Sequence, residues 1–156
     1  MNELPGCDAG EMDVSADLTA PCAPEDLFAW VDDLGRYPQW LAIVTSAAPD
    51  EAAAGDAGPA WLVDLRGRLG PLARSKRLRM VRTASGDGGV VFERREADGR
   101  AHAQWILSAP ISPTEEGSRL VMHLHYGGAL WGPVLERMLG DEIEHSRPRL
   151  LACLAD

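Results

Sequence analysis

A series of β-strand patterns through the middle of the chain constrains its fold more than any other feature. Short sequences rich in Gly, Pro and Asp separate these segments, and Asp98-Gly99 is the sharpest turn signal among them. Consecutive strands joined by short turns predict an antiparallel meander. The segments lie at about 60–69, 72–83, 89–97, 101–109 and 118–127.

The chain before this meander predicts a strand, two short helices and a further strand. Residues 12–19 alternate apolar and polar side chains, as in a half-buried strand. Pro24 with acidic residues behind it is typical of a helix start, and we predict that Gly35 ends this helix. Residues 37–40 predict a second helical turn, and residues 41–48 predict a strand.

The end of the chain predicts one long helix. From Gly132 to Leu154 the apolar residues recur at helical spacing and form one stripe. The predicted order is therefore strand, two short helices, six strands and a long helix, which is an α+β arrangement.

The composition is that of one globular domain. The chain has 156 residues, of which 46% are hydrophobic and 25% charged. No apolar run approaches the roughly 18 residues that span a bilayer. Residues 1–11 contain three acids and no base, unlike a secretory signal. We therefore expect a flexible leader over 1–11, a single domain over 12–156, no membrane span and a cytoplasmic location.

The net charge of −9 is unevenly distributed along the chain. Residues 1–56 carry −11, residues 57–112 carry +5 and residues 113–156 carry −3. Nucleic-acid binding depends on clustered positive charge, and no aromatic residues interleave with the bases of the middle third. We expect no nucleic-acid partner and interpret these bases as the polar face of a strand pair.

The Asp98-Gly99 pair also predicts which side chains face inward. A two-residue turn there sets Phe92 opposite Trp105 and places Arg94 on the same buried face. The same alternation assigns inner faces to the neighbouring strands and puts their histidines outside. The predicted inward apolar residues of those strands are Trp61, Val63, Leu65, Leu78, Met80, Leu120, Met122, Leu124 and Tyr126.

Several cations fall on this inner face. Alternation carries Arg74 and Lys76 to the side that also holds Arg94. Because a dry core does not admit unpaired cations, two interpretations stay open. The face lines a cavity that holds water or a ligand, or the bases lie at strand ends and reach solvent or Glu96.

The N-terminal third and the end of the chain resemble a known group of proteins. They are similar to the polyketide cyclase/dehydrase group of the START-like, helix-grip (SRPBCC) superfamily, and the resemblance covers residues 12–155 in element order. The sharpest motif is Tyr-Pro-x-Trp at residues 37–40. The similar stretches are Val14–Pro21, Pro24–Val31, Asp33–Trp40 and Tyr126–Trp131.

This resemblance implies a curved antiparallel sheet of about seven strands wrapped around the C-terminal helix, with two short helices after the first strand. It also implies a cavity that binds hydrophobic small molecules such as polyketides, lipids or quinones. Catalytic members place an arginine and aromatic or hydroxyl side chains there, which Tyr37, Arg74 and Trp105 match by position. We predict as ligand-binding residues Tyr37, Trp61, Arg74, Phe92, Arg94, Trp105, Met122 and Tyr126.

Three functions stay open at this point. The first is a module that binds a polyketide-, lipid- or quinone-like molecule, as a monomer or homodimer. The second is a polyketide cyclase/aromatase in which an inward arginine stabilises an enolate or oxyanion. The third is a protein-interaction module.

Other chemistry finds little support in the sequence. Motifs for nucleophilic catalysis and for phosphate binding are absent from the sequence. His123 and His125, with His102 on a neighbouring strand, are interpreted as surface histidines rather than zinc ligands. We therefore expect no metal and no cofactor.

Overall fold

Seven strands, two α-helices and one 3-10 helix make up the part of the chain that the computed structural model describes, residues 12–69, 72–128 and 132–155. The predicted leader lies outside these residues, as do Trp131 and the Gly70-Pro71 turn. The elements are β1 (Met12–Ala20), α1 (Pro24–Val31), the 3-10 helix (Leu34–Gln39), β2 (Val44–Asp50), β3 (Ala60–Leu69), β4 (Leu72–Gly86), β5 (Gly89–Arg94), β6 (Trp105–Thr114), β7 (Gly117–Tyr126) and α2 (Gly132–Ala155).

The strands form one antiparallel sheet in the order β1-β7-β6-β5-β4-β3-β2. Six consecutive strands pair with their chain neighbours, and β1 closes the order by pairing with β7. The predicted element order and antiparallel meander are confirmed. The sheet curves around α2, which contacts β1, β3 and the 3-10 helix, whereas α1 packs against β6 and β7.

The first helix begins where the sequence predicts and ends earlier. Pro24 opens α1, and two acids follow it in the first turn. The prediction that Gly35 ends this helix is wrong, because α1 stops at Val31. The Asp33 carboxylate accepts the backbone N–H of Gly35 at 2.8 Å, and this cap starts the 3-10 helix instead.

The predicted strand over 41–48 is displaced towards the C-terminus. The backbone N–H of Leu41 donates to the carbonyl of Tyr37 at 2.7 Å, and that of Val44 donates to the carbonyl of Leu41 at 3.0 Å. These turn hydrogen bonds occupy groups that a strand ladder would use. As a result β2 covers Val44–Asp50.

The register between β5 and β6 differs from the predicted one by two residues. Phe92 pairs with Leu107 rather than with Trp105. Asp98 and Gly99 do not form the predicted two-residue hairpin turn. They lie in a bend, with Gly99 at a φ of 74°, within a connection that runs over residues 95–104. Because side chains alternate with period two, the slip leaves Phe92 and Trp105 on the predicted face.

The core lies between the inner face of the sheet and the helices. From the sheet it takes residues such as Val63, Leu78 and Phe92, and from α2 it takes Leu139 and Leu150. Alternation in β3, β4 and β7 therefore assigned the apolar residues of the inner face correctly, whereas Lys76, which it carried to the same face, is exposed.

Candidate ligand-binding cavity

A cavity of about 150 Å³ lies between the sheet and α2. Apolar side chains make up almost all of its surface. The inner face of β1, β3, β4, β6 and β7 supplies most of them, and α2 supplies Leu139, Ile143 and Leu150. The 3-10 helix and the turn after it close the remaining side with Tyr37 and Trp40, among others.

The polar side chains along the cavity wall are already engaged. Ser146 donates its hydroxyl to the carbonyl of Ile143 at 2.9 Å. Arg147 donates from Nε to the carbonyl of Asp17 at 3.0 Å and from Nη1 to the carboxylate of Glu144. Because the side chains of Asp17 and Arg147 keep 51% and 33% of their surface exposed, they mark a side on which the cavity approaches solvent.

Tyr37 holds the 3-10 helix against the core. Its ring lies 4.7 Å from that of Trp40 and 6.2 Å from that of Phe92, measured between centroids. Its hydroxyl donates to the carbonyl of Val31 at 2.8 Å. Burial raises the pKa of Tyr37 well above its usual range, and the charge of Asp32 adds to this shift. The hydroxyl is therefore neutral and is not available as a general base.

The structure divides the predicted aromatic site residues into two groups. Tyr37 and Trp105 line the cavity, as does the predicted Met122. The Trp61 ring packs edge-on against Phe92 at 5.7 Å, and the Tyr126 ring packs on Trp105 at 5.0 Å. Trp61, Phe92 and Tyr126 therefore lie outside the cavity lining, and the expectation that Trp61 and Trp105 line one cavity is not met here.

Arg94 lies outside the cavity lining and is paired. Its Nε donates to Glu96 at 2.7 Å and its Nη1 to the carbonyl of Ala103 at 3.3 Å. The structure thus shows the pairing with Glu96 that the sequence left open. Lys76 lies in the same region, and partial burial followed by the charge of Arg94 lowers its pKa. Arg74 is paired with Gly67 in the ladder, and its side chain is outside the described part of the structure.

Two residues that line the cavity have buried indole N–H groups with no hydrogen-bond partner among the described residues. They are the Nε1 groups of Trp40 and Trp105, residues that are 2% and 4% exposed. A buried donor left unpaired costs roughly 1–3 kcal/mol. The sequence prediction included Trp105 but omitted Trp40, although Trp40 ends the Tyr-Pro-x-Trp motif that carried the resemblance.

His123 and His125 lie on the other face of the sheet, as predicted, whereas His102 lies in the connection between β5 and β6 and not on a strand. His123 and His125 both contact Asp13 Oδ1, at 2.9 and 3.0 Å, whereas His102 contacts Asp98. These hydrogen bonds and charges lower the pKa of Asp13, with His125 contributing most. Among the described residues, no three His, Cys, Asp or Glu side chains are grouped so that they could hold a metal ion.

The sequence matches no known protein-family profile and no curated protein. Solved structures match over nearly the whole chain. A START superfamily protein from Mycobacterium smegmatis is 15% identical, with 94% of this chain and 97% of that chain covered and a TM-score of 0.67. A STAR-related lipid transfer protein from Xanthomonas axonopodis is 13% identical, covering 92% and 86%, with a TM-score of 0.63.

A third similar structure is that of a larger protein, and this chain matches about half of it. The di-domain ARO/CYC BexL from the BE-7585A biosynthetic pathway is 11% identical, with 94% of this chain and 51% of that chain covered and a TM-score of 0.66. At these identities the likeness establishes the fold, which is the START-like helix-grip fold that the resemblance implied. None of the helices within the described ranges is both long and apolar enough to cross a membrane.

Proposed function

We propose that this protein binds a hydrophobic small molecule in the cavity between the sheet and α2. The observation that carries the proposal is the cavity itself, about 150 Å³ in volume and almost wholly apolar. An apolar cavity of about that size admits a benzene-sized molecule. A polyketide-, lipid- or quinone-like molecule places one ring or chain segment there, and the flexible side chain of Met122 adapts to its shape.

The predicted site residues take different parts in this proposal. Tyr37, Trp105 and Met122 touch the ligand, and the layer of Trp61, Phe92 and Tyr126 keeps the wall rigid. The large aromatic rings of that layer resist collapse of the cavity because they are themselves closely packed. Arg74 remains a predicted anchor for a polar end of the ligand, whereas Arg94 is paired with Glu96 outside the lining.

A polyketide cyclase is the second candidate, supported by the fold shared with ARO/CYC proteins. A cyclase needs groups that move protons or stabilise an enolate within reach of the bound chain. The hydroxyls of Tyr37 and Ser146 already donate to backbone carbonyls. This engagement favours binding without chemistry over the cyclase.

Two alanines in strands allow a matched test. Ala16 lines the cavity from β1, whereas Ala48 lies exposed on β2. In titration calorimetry with toluene, Ala16→Phe should weaken binding more than tenfold because the new ring fills the cavity. Ala48→Phe should bind like the unmodified protein. Equal toluene affinity in both variants would contradict the proposal.

The proposal also includes the domain organisation, location and partners of the protein. We propose a single domain over residues 12–156 that acts in the cytoplasm, as a monomer or homodimer and without a nucleic-acid partner. The net charge of −9 supports the last point, because it repels phosphate backbones. Light scattering coupled to size exclusion measures the oligomeric state, and an assembly larger than a dimer would contradict this proposal.

A further inference from the structure

We infer that Ser15, His123 and Asp13 form a reactive serine site on the outer face of the sheet, which transfers the acyl group of activated esters to water. This site is separate from the proposed ligand cavity, because none of the three residues belongs to the cavity lining. The inference starts from two consecutive hydrogen bonds that join the three side chains.

The three side chains meet because β1 and β7 are neighbours in the sheet. Ser15 lies opposite His123 in the antiparallel ladder, and Asp13 lies two residues before Ser15 on the same face. Ser15 Oγ is 2.7 Å from His123 Nδ1, and His123 Nε2 is 2.9 Å from Asp13 Oδ1. A hydroxyl within hydrogen-bond reach of a base that a third group orients is the signature of an activated nucleophile.

The Asp13 carboxylate determines which nitrogen of His123 acts as the base. Hydrogen bonds from His125 and then His123 lower the pKa of Asp13, and an ionised carboxylate only accepts hydrogen bonds. His123 Nε2 therefore carries the hydrogen that it shares with Asp13. In the neutral ring Nδ1 is then the acceptor, and it faces the hydroxyl of Ser15. His125 Nδ1 contacts the same carboxylate oxygen at 3.0 Å and so helps to fix its position.

The place of β1 at the edge of the sheet supplies a further donor. Arg147 Nε, which comes from α2, donates to the carbonyl of Asp17, so the backbone of Asp17 faces the free edge of β1. Residues two apart in a strand direct their backbone groups to the same side, so the N–H of Ser15 faces that edge too. In acyl transfer, the backbone N–H of the nucleophilic serine is one of the donors that stabilise the oxyanion.

The reaction that these groups support is acyl transfer in two steps. Ser15 Oγ attacks the carbonyl carbon of the ester while His123 Nδ1 takes its proton, and Asp13 stabilises the resulting imidazolium. The C–O bond to the alcohol breaks, and the alcohol leaves with the proton from His123. Water then attacks acyl-Ser15 with His123 as the base, which releases the carboxylic acid and restores the serine.

The open surroundings of the site restrict the substrate to esters with a good leaving group. Ser15 is exposed, and the side chains of His123 and Asp13 keep 41% and 52% of their surface exposed. Such a surface positions the ester weakly and does not exclude water, so binding contributes little to the rate. Aryl esters of short carboxylic acids fit this site, because a phenolate leaves readily and a small acyl group needs no pocket.

Labelling with diisopropyl fluorophosphate tests the nucleophile in the unmodified protein. The reagent phosphorylates activated serines with loss of fluoride. Intact mass spectrometry should show one adduct, and peptide mapping should place it on Ser15. The labelling rate should fall at least tenfold in His123→Gln. It should not change in His102→Gln, the matched control, because the His102 ring contacts Asp98 and Arg94 instead of a serine.

Hydrolysis of 4-nitrophenyl acetate tests turnover. Ser15→Ala removes the nucleophile and should lower the rate at least tenfold. Ser46→Ala is the matched control, since Ser46 is an exposed serine on a strand that hydrogen-bonds Asp64 rather than a histidine. Imidazole alone also cleaves this ester, so a rate that Ser15→Ala leaves unchanged would come from histidine side chains and would overturn the inference.

The tautomer of His123 gives a readout of the positioning role of Asp13. Long-range ¹H–¹⁵N correlation spectra should show the neutral His123 ring protonated at Nε2, and Asp13→Ala should reduce that preference and slow the labelling of Ser15. A ring protonated at Nδ1 in the unmodified protein would contradict the assignment of the base.

The decisive result comes from the unmodified protein and does not depend on how any variant folds. A fluorophosphate adduct on Ser15 supports the inference, whereas no adduct there, or a labelling rate that His123→Gln leaves unchanged, overturns it.

Discussion

Arg94 donates from Nε to Oε2 of Glu96 at 2.7 Å, and the same oxygen accepts the backbone N–H of Arg79 at 3.2 Å. Glu96 thus joins the end of β5 to β4 through one carboxylate. The Arg94 side chain is 8% exposed, and that of Glu96 is 18% exposed. This pair gives Arg94 a structural partner, which is one of the interpretations that alternation in the sequence left open.

The substitution Arg94→Met tests whether Arg94 acts mainly through its ion pair with Glu96 or mainly as an anchor for a ligand. We expect a loss of roughly 1–3 kcal/mol in the free energy of unfolding, because Glu96 stays half-buried without its cation. Toluene affinity should not change, since Arg94 lies outside the cavity lining. Arg95→Met is the control, because Arg95 is exposed and pairs with Glu93. A benzoate affinity that falls more than tenfold only in Arg94→Met would instead assign Arg94 the anchoring role.

Arg79 makes the densest set of polar contacts in the described structure. Its guanidinium donates to the carboxylates of Asp50 and Asp56, each at 2.7 Å in its shortest contact, and to the carbonyls of Glu51 and Arg95 at 2.9 and 3.0 Å. It is 4% exposed. These contacts tie the loop after β2 to β4.

We predict that Arg79→Met lowers the free energy of unfolding by about 3 kcal/mol, because it leaves two carboxylates next to a buried site without their cation. Arg77→Met should have a much smaller effect, since Arg77 pairs with Asp64 on the exposed face. Urea unfolding of the two variants measures the difference. Equal losses would show that the Arg79 contacts contribute no more than a surface ion pair.

The contacts of Arg79 also make the stability of the folded protein depend on pH. Hydrogen bonds from Arg79 lower the pKa of Asp56 below its ordinary value. A depressed carboxyl pKa stabilises the folded state above a pH of about 4 and loses that contribution as the pH falls. The stability of the unmodified protein should therefore decline more steeply between about pH 4 and 2 than that of Arg79→Met.

The burial of Tyr37 leads us to expect a loss of stability at alkaline pH. Burial raises its pKa in the folded state, so the unfolded chain releases this proton first, near a pH of about 10. The free energy of unfolding should fall above that pH by about 1.4 kcal/mol per unit. Tyr37→Phe should remove the contribution of Tyr37 to this slope and cost about 1 kcal/mol at neutral pH through the lost bond to Val31. A slope as steep in Tyr37→Phe as in the unmodified protein would contradict the assignment.

The alternation of apolar and polar residues along the strands predicted the inner face, because the direction of a side chain depends only on its place in the two-residue repeat of a strand. It could not predict the register of β5 and β6, since a two-residue slip preserves both apolar faces. The burial of Arg79 could likewise not be predicted from the pattern of neighbouring residues. It results from the loop that folds back over β4. In the sequence, Arg79 is one of several bases on the polar face of a strand.

Some of the cavity residues could be predicted from the sequence and others could not. Trp105 and Met122 follow from strand alternation, and both line the cavity. Trp40 was missed because its direction depends on how the 3-10 helix ends, which no periodicity reports. The volume left between sheet and helix depends on packing of the whole fold. The sequence therefore indicates a cavity only through the cations on the inner face, which left it as one of two interpretations, and through the family resemblance.

Crystals soaked with iodobenzene test the central claim most directly, because iodine is located by its anomalous scattering. The account predicts one dominant iodine peak between the sheet and α2, in contact with Trp105 and Leu139. The same soak of Ala16→Phe crystals should lose that peak. An iodine peak confined to the outer face of the sheet, or no peak inside the unmodified protein, would contradict the assignment of this cavity as the ligand site.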